Sequence, residues 1–265
     1  MKLTILGSGT NYVNKTRFPS SYLVQTQKEN ILLDCGSHCS LRLLDIGIRL
    51  YQIDRIIITH RHPDHMGDLV PSILSMWLGN LYYPKEKRTK PLYLHGYQGF
   101  IKDYETLRNM MFPDRPEPYK IYIQEHADDE FDIGQNLKVK TCLVPHMEQF
   151  MKAIAVRLDE KSTKKSLVYS GDTGYSTELI RLSKNANLVL YEAAFSNKSH
   201  INLGSRYGHM TPQDAATTAQ EAKVKKLIIT HLYEGLESKQ NIYKAAKSIY
   251  DGDIVVAEDL MEFEL

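Results

Sequence analysis

Short apolar blocks separated by polar turns run along most of this chain. Blocks of this length, flanked by Gly, Asn, Asp or Pro, are typical of strands rather than of helices. They predict strands at 3–6, 22–26, 31–33, 55–59, 91–94, 119–124, 137–144, 153–158, 167–169, 188–191, 227–230 and 254–256.

Helical spacing of apolar residues is confined to three segments. Leu69, Ile73 and Trp77 recur at intervals of four and predict a helix near 69–78. The cap-like Thr211, followed by Pro212, predicts a helix over 212–223, and a third is predicted at about 238–250. Strands dominate the first half and strand–helix alternation marks the second, which predicts a mixed α/β sandwich with the sheets inside. No linker of low complexity interrupts 1–265, so we expect a single domain.

Composition narrows the class of protein. The 265 residues are 42% hydrophobic and 25% charged, as in ordinary globular domains. With 33 Lys and Arg against 32 Asp and Glu, the net charge of +1 argues against a strongly basic nucleic-acid binder. No apolar run approaches the roughly 18 residues of a membrane span. Three cysteines without a CxxC spacing (Cys35, Cys39 and Cys142) argue against a disulfide framework, and we predict a cytoplasmic protein without a membrane partner.

Two of the predicted strands end in the same way. The segments 55–60 and 226–231 both carry a basic residue, three aliphatic residues and then Thr-His. The carboxyl end of a strand is where α/β proteins place their chemistry. The histidines His60 and His231 are therefore candidates for one shared site.

The densest cluster of metal-ligating side chains follows the first of these strands. In Thr59-His60-Arg61-His62-Pro63-Asp64-His65, three histidines and one aspartate fall within six residues. Imidazole and carboxylate groups suit Zn²⁺, Mn²⁺ or Fe²⁺. His60 and His62 can serve one cation, while Asp64 and His65 can turn toward another. Further candidates after apolar runs are His146, Asp172 and His231.

The order of these ligands resembles that of the metallo-β-lactamase superfamily, whose first motif is matched by Asp34 in Leu33-Asp34-Cys35-Gly36. The resemblance implies an α/β (α+β) fold, a four-layer αββα sandwich with a di-metal site at one edge. It implies two Zn²⁺ ions per chain, although Mn²⁺ or Fe²⁺ also suits the donor set. It assigns His60, His62 and His146 to one ion, Asp64, His65 and His231 to the other, Asp172 to both, and Asp34 to the orientation of a ligand histidine.

Two further motifs indicate a branch of that superfamily. Glu192 lies in Leu190-Tyr191-Glu192-Ala193-Ala194-Phe195, which resembles the His-Glu-Ala-Thr motif of ribonuclease Z. Gly208-His209-Met210-Thr211 resembles the His-Ser-Thr helix start of that family, with Met210 in place of Ser. The resemblance implies a phosphodiesterase in which Asp64 orients the attacking hydroxide at the metal pair. His209 would stabilise a phosphate oxygen with help from Glu192. Arg206 and Tyr207 are candidate substrate contacts.

The substrate is inferred from a missing segment. Ribonuclease Z enzymes that process tRNA typically carry a flexible arm between their third and fourth motifs, but the interval between His146 and Asp172 reads as two strands and a charged turn. We therefore predict a cyclic nucleotide or another small phosphodiester as substrate. The alternatives are tRNA 3′ processing, with RNA as partner, a thioester or lactone hydrolase of the same fold, and a non-catalytic metal-binding protein. The resemblance also suggests a homodimer.

Overall fold

The computed structural model describes residues 1–112, 116–195 and 206–265. Its first sheet has seven strands in the order β14-β1-β2-β3-β4-β5-β6. The pairs from β14 to β3 are antiparallel, and those from β3 to β6 are parallel. The strands are β1 (Lys2–Gly7), β2 (Ser21–Gln25), β3 (Asn30–Cys35), β4 (Arg55–Ile58), β5 (Leu92–Tyr97), β6 (Ile121–His126) and β14 (Glu262–Glu264).

The second sheet repeats this arrangement. Its seven strands follow the order β13-β12-β11-β10-β9-β8-β7, antiparallel from β7 to β10 and parallel from β10 to β13. The strands are β7 (Asp129–Ile133), β8 (Leu137–Leu143), β9 (Ile154–Glu160), β10 (Lys165–Tyr169), β11 (Leu188–Glu192), β12 (Lys226–Thr230) and β13 (Asp253–Val256).

Helices connect the parallel strands of both sheets. The α-helices with both ends in the described residues are α1 (Cys39–Asp45), α2 (Pro63–Met66), α3 (Leu69–Tyr82), α4 (Phe100–Met111), α5 (Thr177–Ser183), α6 (Pro212–Glu221) and α7 (Lys239–Lys247). Short 3₁₀ turns lie at Leu50–Gln52 and Pro84–Glu86. No helix of the described residues is both long and apolar enough to cross a bilayer.

The buried side chains of the second sheet divide by face, as the two-residue period of a strand requires. Leu190 and Ile228 join the core that contains Leu3, Ile5 and other residues of the first sheet. Their neighbours along the chain, including Val189, Tyr191 and Ile229, instead join a core with the alanines of α6. Each of these strands is therefore covered on both faces, by the other sheet and by helices. This arrangement confirms the αββα prediction.

Each predicted strand and helix is present, within a few residues at its ends, but several elements were not predicted. The missed strands β7 and β14 are rich in exposed acidic residues and lack an apolar run. Among the missed helices, α4 buries only Phe100 and Tyr104, so its apolar face is too sparse to show the helical period. The three cysteines are buried and form no disulfide.

Candidate metal centre

The strand ends bring all seven predicted ligands together. The ligands follow the carboxyl end of β4 in the first sheet and the carboxyl ends of β8, β10 and β12 in the second sheet. The predicted ligands form two sets, and inside each set the ligand atoms lie within 4.8 Å of one another: His60, His62, His146 and Asp172 in the first set, and Asp64, His65 and His231 in the second. A further group with the same spacing joins Asp172 and His231 to His209.

Asp172 lies between the two sets. Its Oδ2 is 3.8 Å from His60 Nε2 and 3.9 Å from His146 Nε2. Its Oδ1 is 3.2 Å from His65 Nε2 and 3.3 Å from His231 Nε2. One carboxylate therefore presents a different oxygen to each set, which is the geometry of a bridging ligand.

In the first set, the ring nitrogens that face each other are His60 Nε2, His62 Nδ1 and His146 Nε2. The His62 nitrogen lies 3.0 Å from that of His60 and 3.2 Å from that of His146. The opposite nitrogens of His60 and His146 bond to Thr59 Oγ1 at 3.1 Å and to the Gly208 carbonyl at 3.0 Å. These partners hold the rings with one nitrogen turned inward, as metal-ligating histidines require.

In the second set, Asp34 orients His65 as predicted. Asp34 Oδ2 accepts a hydrogen bond from His65 Nδ1 at 2.7 Å, which leaves His65 Nε2 directed at Asp172. The same oxygen accepts the Tyr169 hydroxyl at 2.6 Å and the Thr59 hydroxyl at 2.9 Å. On the other side of the set, His231 Nε2 lies 3.3 Å from Asp64 Oδ2.

The proximity of the two sets shifts several pKa values. Burial acts to raise the pKa of Asp172, but His231 and His65 lower it well below its usual range. Burial also acts to raise the pKa of Asp64, but His65 and His231 lower this pKa to about 2. Burial lowers the pKa of His60 well below its usual range and that of His146 to about 4. Asp172, Asp64, His60 and His146 therefore favour the unprotonated forms that bind metal. The pKa of His65 instead rises, because Asp172 and Asp34 outweigh its burial.

The donor set fits a pair of divalent cations. His65 Nε2 and Asp172 Oδ1 are buried and have no hydrogen-bond partner in the described structure, although each points into the cluster. Buried polar groups without a partner are costly unless another ligand satisfies them. Imidazole nitrogens and carboxylate oxygens, in sets of three or four, match the preferences of Zn²⁺, Mn²⁺ and Fe²⁺.

The backbone around the cluster is held in unusual conformations. Asp34 and His231 have φ values of 58° and 56°, a left-handed region that few residues other than glycine adopt. Gly208 has a φ of 73°, and a Cβ there would lie 2.3 Å from the Pro145 carbonyl oxygen. Only glycine therefore fits where the Gly208 carbonyl must reach His146.

His209 and Glu192 lie beside the cluster as a hydrogen-bonded pair. His209 Nδ1 lies 2.8 Å from Glu192 Oε1 and 3.9 Å from Asp172 Oδ2. Glu192 is fully buried, and the backbone amides of Thr173 and Ala194 also donate to it. Burial opposes protonation of His209, but Glu192 raises its pKa to about 9. His209 is therefore a cation at neutral pH before any metal binds.

The helix α6 begins immediately after His209. Its N-cap, Thr211, exchanges hydrogen bonds with Asp214 in a capping box, and Pro212 occupies the first turn. Met210, the departure from the ribonuclease Z pattern, is fully buried in the core beneath the helix. The position of His209 is therefore set by the helix cap, even with Met at position 210.

The predicted substrate contacts lie outside the ligand cluster. Arg206 and Tyr207 are exposed, and they border a cleft of about 660 Å³ whose other wall includes Met147 and Phe150. The two walls are joined by a hydrogen bond from the Met147 amide to the Tyr207 carbonyl. Arg61, from the histidine motif, donates to the Phe150 carbonyl. The cleft adjoins His146 and His209 through Pro145 and Gly208.

Sequence reasoning missed Thr59 and Tyr169, which both contact Asp34. The repeated Thr-His ending of β4 and β12 was a signal for Thr59. Nothing in the sequence around Tyr169 set it apart from other strand residues. The aromatic residue Tyr233 was also missed, although Asp64, Asp172 and Glu192 lie close enough to help raise the pKa of its phenol.

Comparison with known families identifies the chain. A family profile described as "Anti-Pycsar protein Apyc1" matches residues 1–239. The chain belongs to this family. Among curated proteins, it is 26% identical over 268 residues to the probable metallo-hydrolase YhfI of Bacillus subtilis (strain 168), covering 97% of each chain. It is also 26% identical over 312 residues to ribonuclease Z of Borrelia garinii subsp. bavariensis, covering 99% of this chain and 96% of that protein.

Solved structures agree with the fold of this Apyc1-family chain. The metallo-β-lactamase-fold protein YhfI superposes with a TM-score of 0.83 at 24% identity, over 99% of this chain and 98% of that one. The short form of human tRNase Z gives 0.78 at 22% identity, over 100% and 99%. Together with the curated relatives, these matches confirm the metallo-β-lactamase fold and the resemblance to ribonuclease Z-like proteins.

Proposed function

We propose that this chain is a metal-dependent hydrolase that cleaves the phosphodiester bond of a cyclic nucleotide or of another small phosphodiester. The observation that carries the proposal is the pair of ligand sets that share Asp172, with the His209–Glu192 pair directly beside them. A phosphodiester needs both features, because cations neutralise its oxygens and a proton donor assists the group that leaves.

The ligand sets support two divalent cations per chain. We assign both as Zn²⁺, and the same donors would also accept Mn²⁺ or Fe²⁺. When bound, such cations lower the pKa of water toward neutrality and stabilise negative charge on phosphate oxygens. His60, His62 and His146 would hold one cation, Asp64, His65 and His231 the other, and Asp172 both.

Three side chains have roles of their own in this proposal. Asp64, with a pKa of about 2, stays a carboxylate that can accept a hydrogen bond from the attacking water. His209, held at Nδ1 by Glu192, has Nε2 available to donate to a phosphate or leaving oxygen. Glu192 keeps that imidazole oriented and charged.

A small substrate is supported by the segment between His146 and Asp172. This interval contains the antiparallel hairpin of β9 and β10, whose strands pair directly from Val156 to Glu160. In addition, the alignment to the Borrelia ribonuclease Z extends over 312 positions, more than the 265 residues of this chain. Such an alignment leaves gaps of about 50 positions in this chain, whereas the alignment to YhfI, over 268 positions and 97% of this chain, leaves about 11. We propose that Arg206 and Tyr207, on the adjoining cleft, contact this substrate.

Processing of tRNA 3′ ends is the second candidate. One specific observation favours it, since a relative named ribonuclease Z matches 99% of this chain at 26% identity. Against it stand the near-zero net charge and the short hairpin between β9 and β10.

The test is a panel of substrates offered to the protein after loading with Zn²⁺, Mn²⁺ or Fe²⁺. The panel contains 2′,3′- and 3′,5′-cyclic nucleotides, a precursor tRNA with a 3′ trailer, and a thioester. We expect efficient opening of a cyclic phosphodiester and little trailer removal. Efficient trailer removal without cyclic-nucleotide turnover would reverse the order of the two candidates. Turnover of the thioester alone would exclude both.

The variant His209→Ala tests the role of the proton donor separately from the role of the metal ligands. We expect kcat to fall by about 10²–10⁴-fold, the usual contribution of a general acid, with the metal content unchanged. A matched control is His38→Asn, because His38 is an exposed histidine outside the ligand sets and Asn tolerates its φ of 71°. Unchanged phosphodiester cleavage in His209→Ala would remove His209 from the reaction.

Assembly, domain organisation and location stay predictions. We propose a homodimer, a single domain over 1–265 and a cytoplasmic location. Light scattering of the purified protein would test the dimer, and limited proteolysis would test the single domain.

A further inference from the structure

Among the residues that the structure describes, only Thr59 has a hydroxyl that contacts a ligand histidine, His60, and also the carboxylate of Asp34, which orients a second ligand histidine. It is fully buried between the end of β4 and Gly171, whose missing Cβ makes room for it. Its amide donates to Asp34 Oδ1 at 2.7 Å, and its hydroxyl lies 2.9 Å from Asp34 Oδ2 and 3.1 Å from His60 Nδ1.

The direction of these hydrogen bonds follows from a count of protons. An ionised carboxylate only accepts, so the single proton of the Thr59 hydroxyl goes to Asp34. The hydroxyl oxygen can then only accept from His60, and His60 must carry its proton on Nδ1. That tautomer leaves His60 Nε2 unprotonated where it faces His62 and Asp172.

The same carboxylate sets the tautomer of a histidine in the other ligand set. His65 Nδ1 donates to Asp34 Oδ2, so His65 Nε2 is the atom left to bind a cation. One hydroxyl and one carboxylate therefore fix the metal-binding nitrogen of one histidine in each set. The hydrogen bonds from Thr59 and from His65 end on the same oxygen, Asp34 Oδ2, so a shift of this carboxylate would disturb the metal-binding nitrogen of both histidines.

We propose that Thr59 is a positioning residue that couples the two cation sites, so that loss of its hydroxyl weakens cation binding at both. The coupling passes through His60, Thr59, Asp34 and His65. It concerns cation binding and does not depend on which ester the protein hydrolyses, so it can be tested even if the proposed substrate is wrong.

The test replaces Thr59 with Val, which has nearly the same shape but no hydroxyl. Metal-free protein is titrated with Zn²⁺ against a chelator, and the two dissociation constants are measured. Loss of a hydrogen bond that orients a ligand histidine typically weakens metal binding by about 10–100-fold. We expect a loss of this size at both sites in Thr59→Val.

Thr230→Val is the matched control. Thr230 is also fully buried, also ends an aliphatic strand and also precedes a ligand histidine, but its hydroxyl bonds to the Tyr22 hydroxyl at 3.0 Å. We expect its two zinc affinities to match those of the wild-type protein. An equal loss in both variants would mean that any buried hydroxyl here matters, and the proposal would be wrong.

A spectroscopic measurement reports the tautomer directly. In the metal-free protein, nitrogen-15 NMR should place the proton of His60 on Nδ1, and Thr59→Val should abolish that preference while Thr230→Val keeps it. Cobalt absorption spectra would then show whether one or both sites change. A loss confined to the site of His60, or two wild-type affinities in Thr59→Val, would overturn the coupling.

A second pair of variants covers a failure of Thr59→Val to fold. Thr59→Ser and Thr59→Ala both lack the methyl group and differ only in the hydroxyl. We expect the serine variant to keep both affinities and the alanine variant to lose them. Equal zinc binding in these two variants would also refute the proposal.

Discussion

The segments 55–60 and 226–231, which contain β4 and β12, both end in Thr-His, yet their threonines serve different parts of the molecule. Thr59 bonds to Asp34 and His60, inside the network that orients the ligands. Thr230 bonds to Tyr22, in the core between the sheets. Both following histidines point into the ligand cluster. The Thr-His ending thus places a histidine at the sheet edge in both cases but does not determine what the threonine does.

Neighbouring strands explain the difference. β4 pairs in parallel with β3, which carries Asp34 near its carboxyl end, so the Thr59 amide and hydroxyl both donate to that carboxylate. β12 pairs with β11, and Thr230 lies in register with Glu192. Glu192 is already occupied by His209 and by backbone amides. The role of each threonine is therefore set by the strand beside it.

The largest effect should come from removing the histidine at either strand end. His60→Ala and His231→Ala each take one ligand from a different set. We expect each variant to retain one tightly bound cation instead of two. Activity should fall by about 10³-fold or more, about 4 kcal/mol of transition-state stabilisation, because a phosphodiester needs both charges. Metal analysis and kcat/KM measure the two effects.

The two variants also have a shared control. His38→Asn removes an exposed histidine outside both sets and should keep the metal content and activity of the wild-type protein. If His231→Ala kept two cations at full affinity, the end of β12 would not belong to the metal centre. The comparison of the two strand ends would then fail.

Much of this centre was predictable from sequence because its ligands follow strands. Apolar runs place the carboxyl ends of parallel strands at one edge, and His60, His146, Asp172 and His231 each follow such a run. The order of the ligands then supplied the pairing into two sets through the resemblance to a known family. His209 was found in the same way, from its position just before the helix cap Thr211.

The hydrogen bonds that orient the ligands were not predictable in the same way. The Tyr169 hydroxyl reaches Asp34 only because the two sheets face each other, and no periodicity records that distance. The acceptor of His146, the Gly208 carbonyl, is a backbone group far along the chain. The strands β7 and β14 were not predicted for a similar reason, because pairing with a neighbouring strand stabilises them more than their own composition does.

The two strands β4 and β12 also differ at their first residues. We expect this difference to affect stability, and by less than the loss of a ligand affects activity. Arg55, at the start of β4, lies 3.4 Å from His95 Nε2, and His95 Nδ1 lies 3.0 Å from His126 Nε2. Lys226, at the start of β12, instead lies over the ring of Phe263. Burial, with His126 and Arg55, lowers the pKa of His95 to about 3 from its ordinary value of 6.5.

This shift predicts a loss of stability in acid. Below pH 6.5 the unfolded chain protonates His95 and the folded chain does not, so stability falls as the pH drops toward 3. The slope from this residue is at most about 1.4 kcal/mol per pH unit. Urea unfolding of the metal-free protein between pH 7 and pH 4 measures it. His95→Gln should take up about one proton fewer on unfolding than the wild-type protein, and an unchanged proton uptake in this variant would contradict the assignment.

The smallest effect separates two adjacent tyrosines. The rings of Tyr22 and Tyr169 lie 4.9 Å apart in the core, but the Tyr22 hydroxyl serves Thr230 and the Tyr169 hydroxyl serves Asp34. We expect Tyr169→Phe to weaken zinc binding by about tenfold, since Asp34 loses a donor and holds His65 less firmly. Tyr22→Phe should cost only about 1 kcal/mol of unfolding free energy, the usual worth of one hydrogen bond, and leave both zinc affinities unchanged.

The pair is informative because the two variants make the same chemical change within one ring contact. Both remove a single buried hydroxyl, so they create similar losses of packing and solvation. A difference in zinc affinity therefore reports whether the lost hydroxyl contacted Asp34 and His65 or instead Thr230 and Ser20. Chelator competition measures the affinity and urea unfolding measures the stability. If Tyr22→Phe weakened zinc binding as much as Tyr169→Phe, the two strand ends would form one network and the distinction between their threonines would be lost.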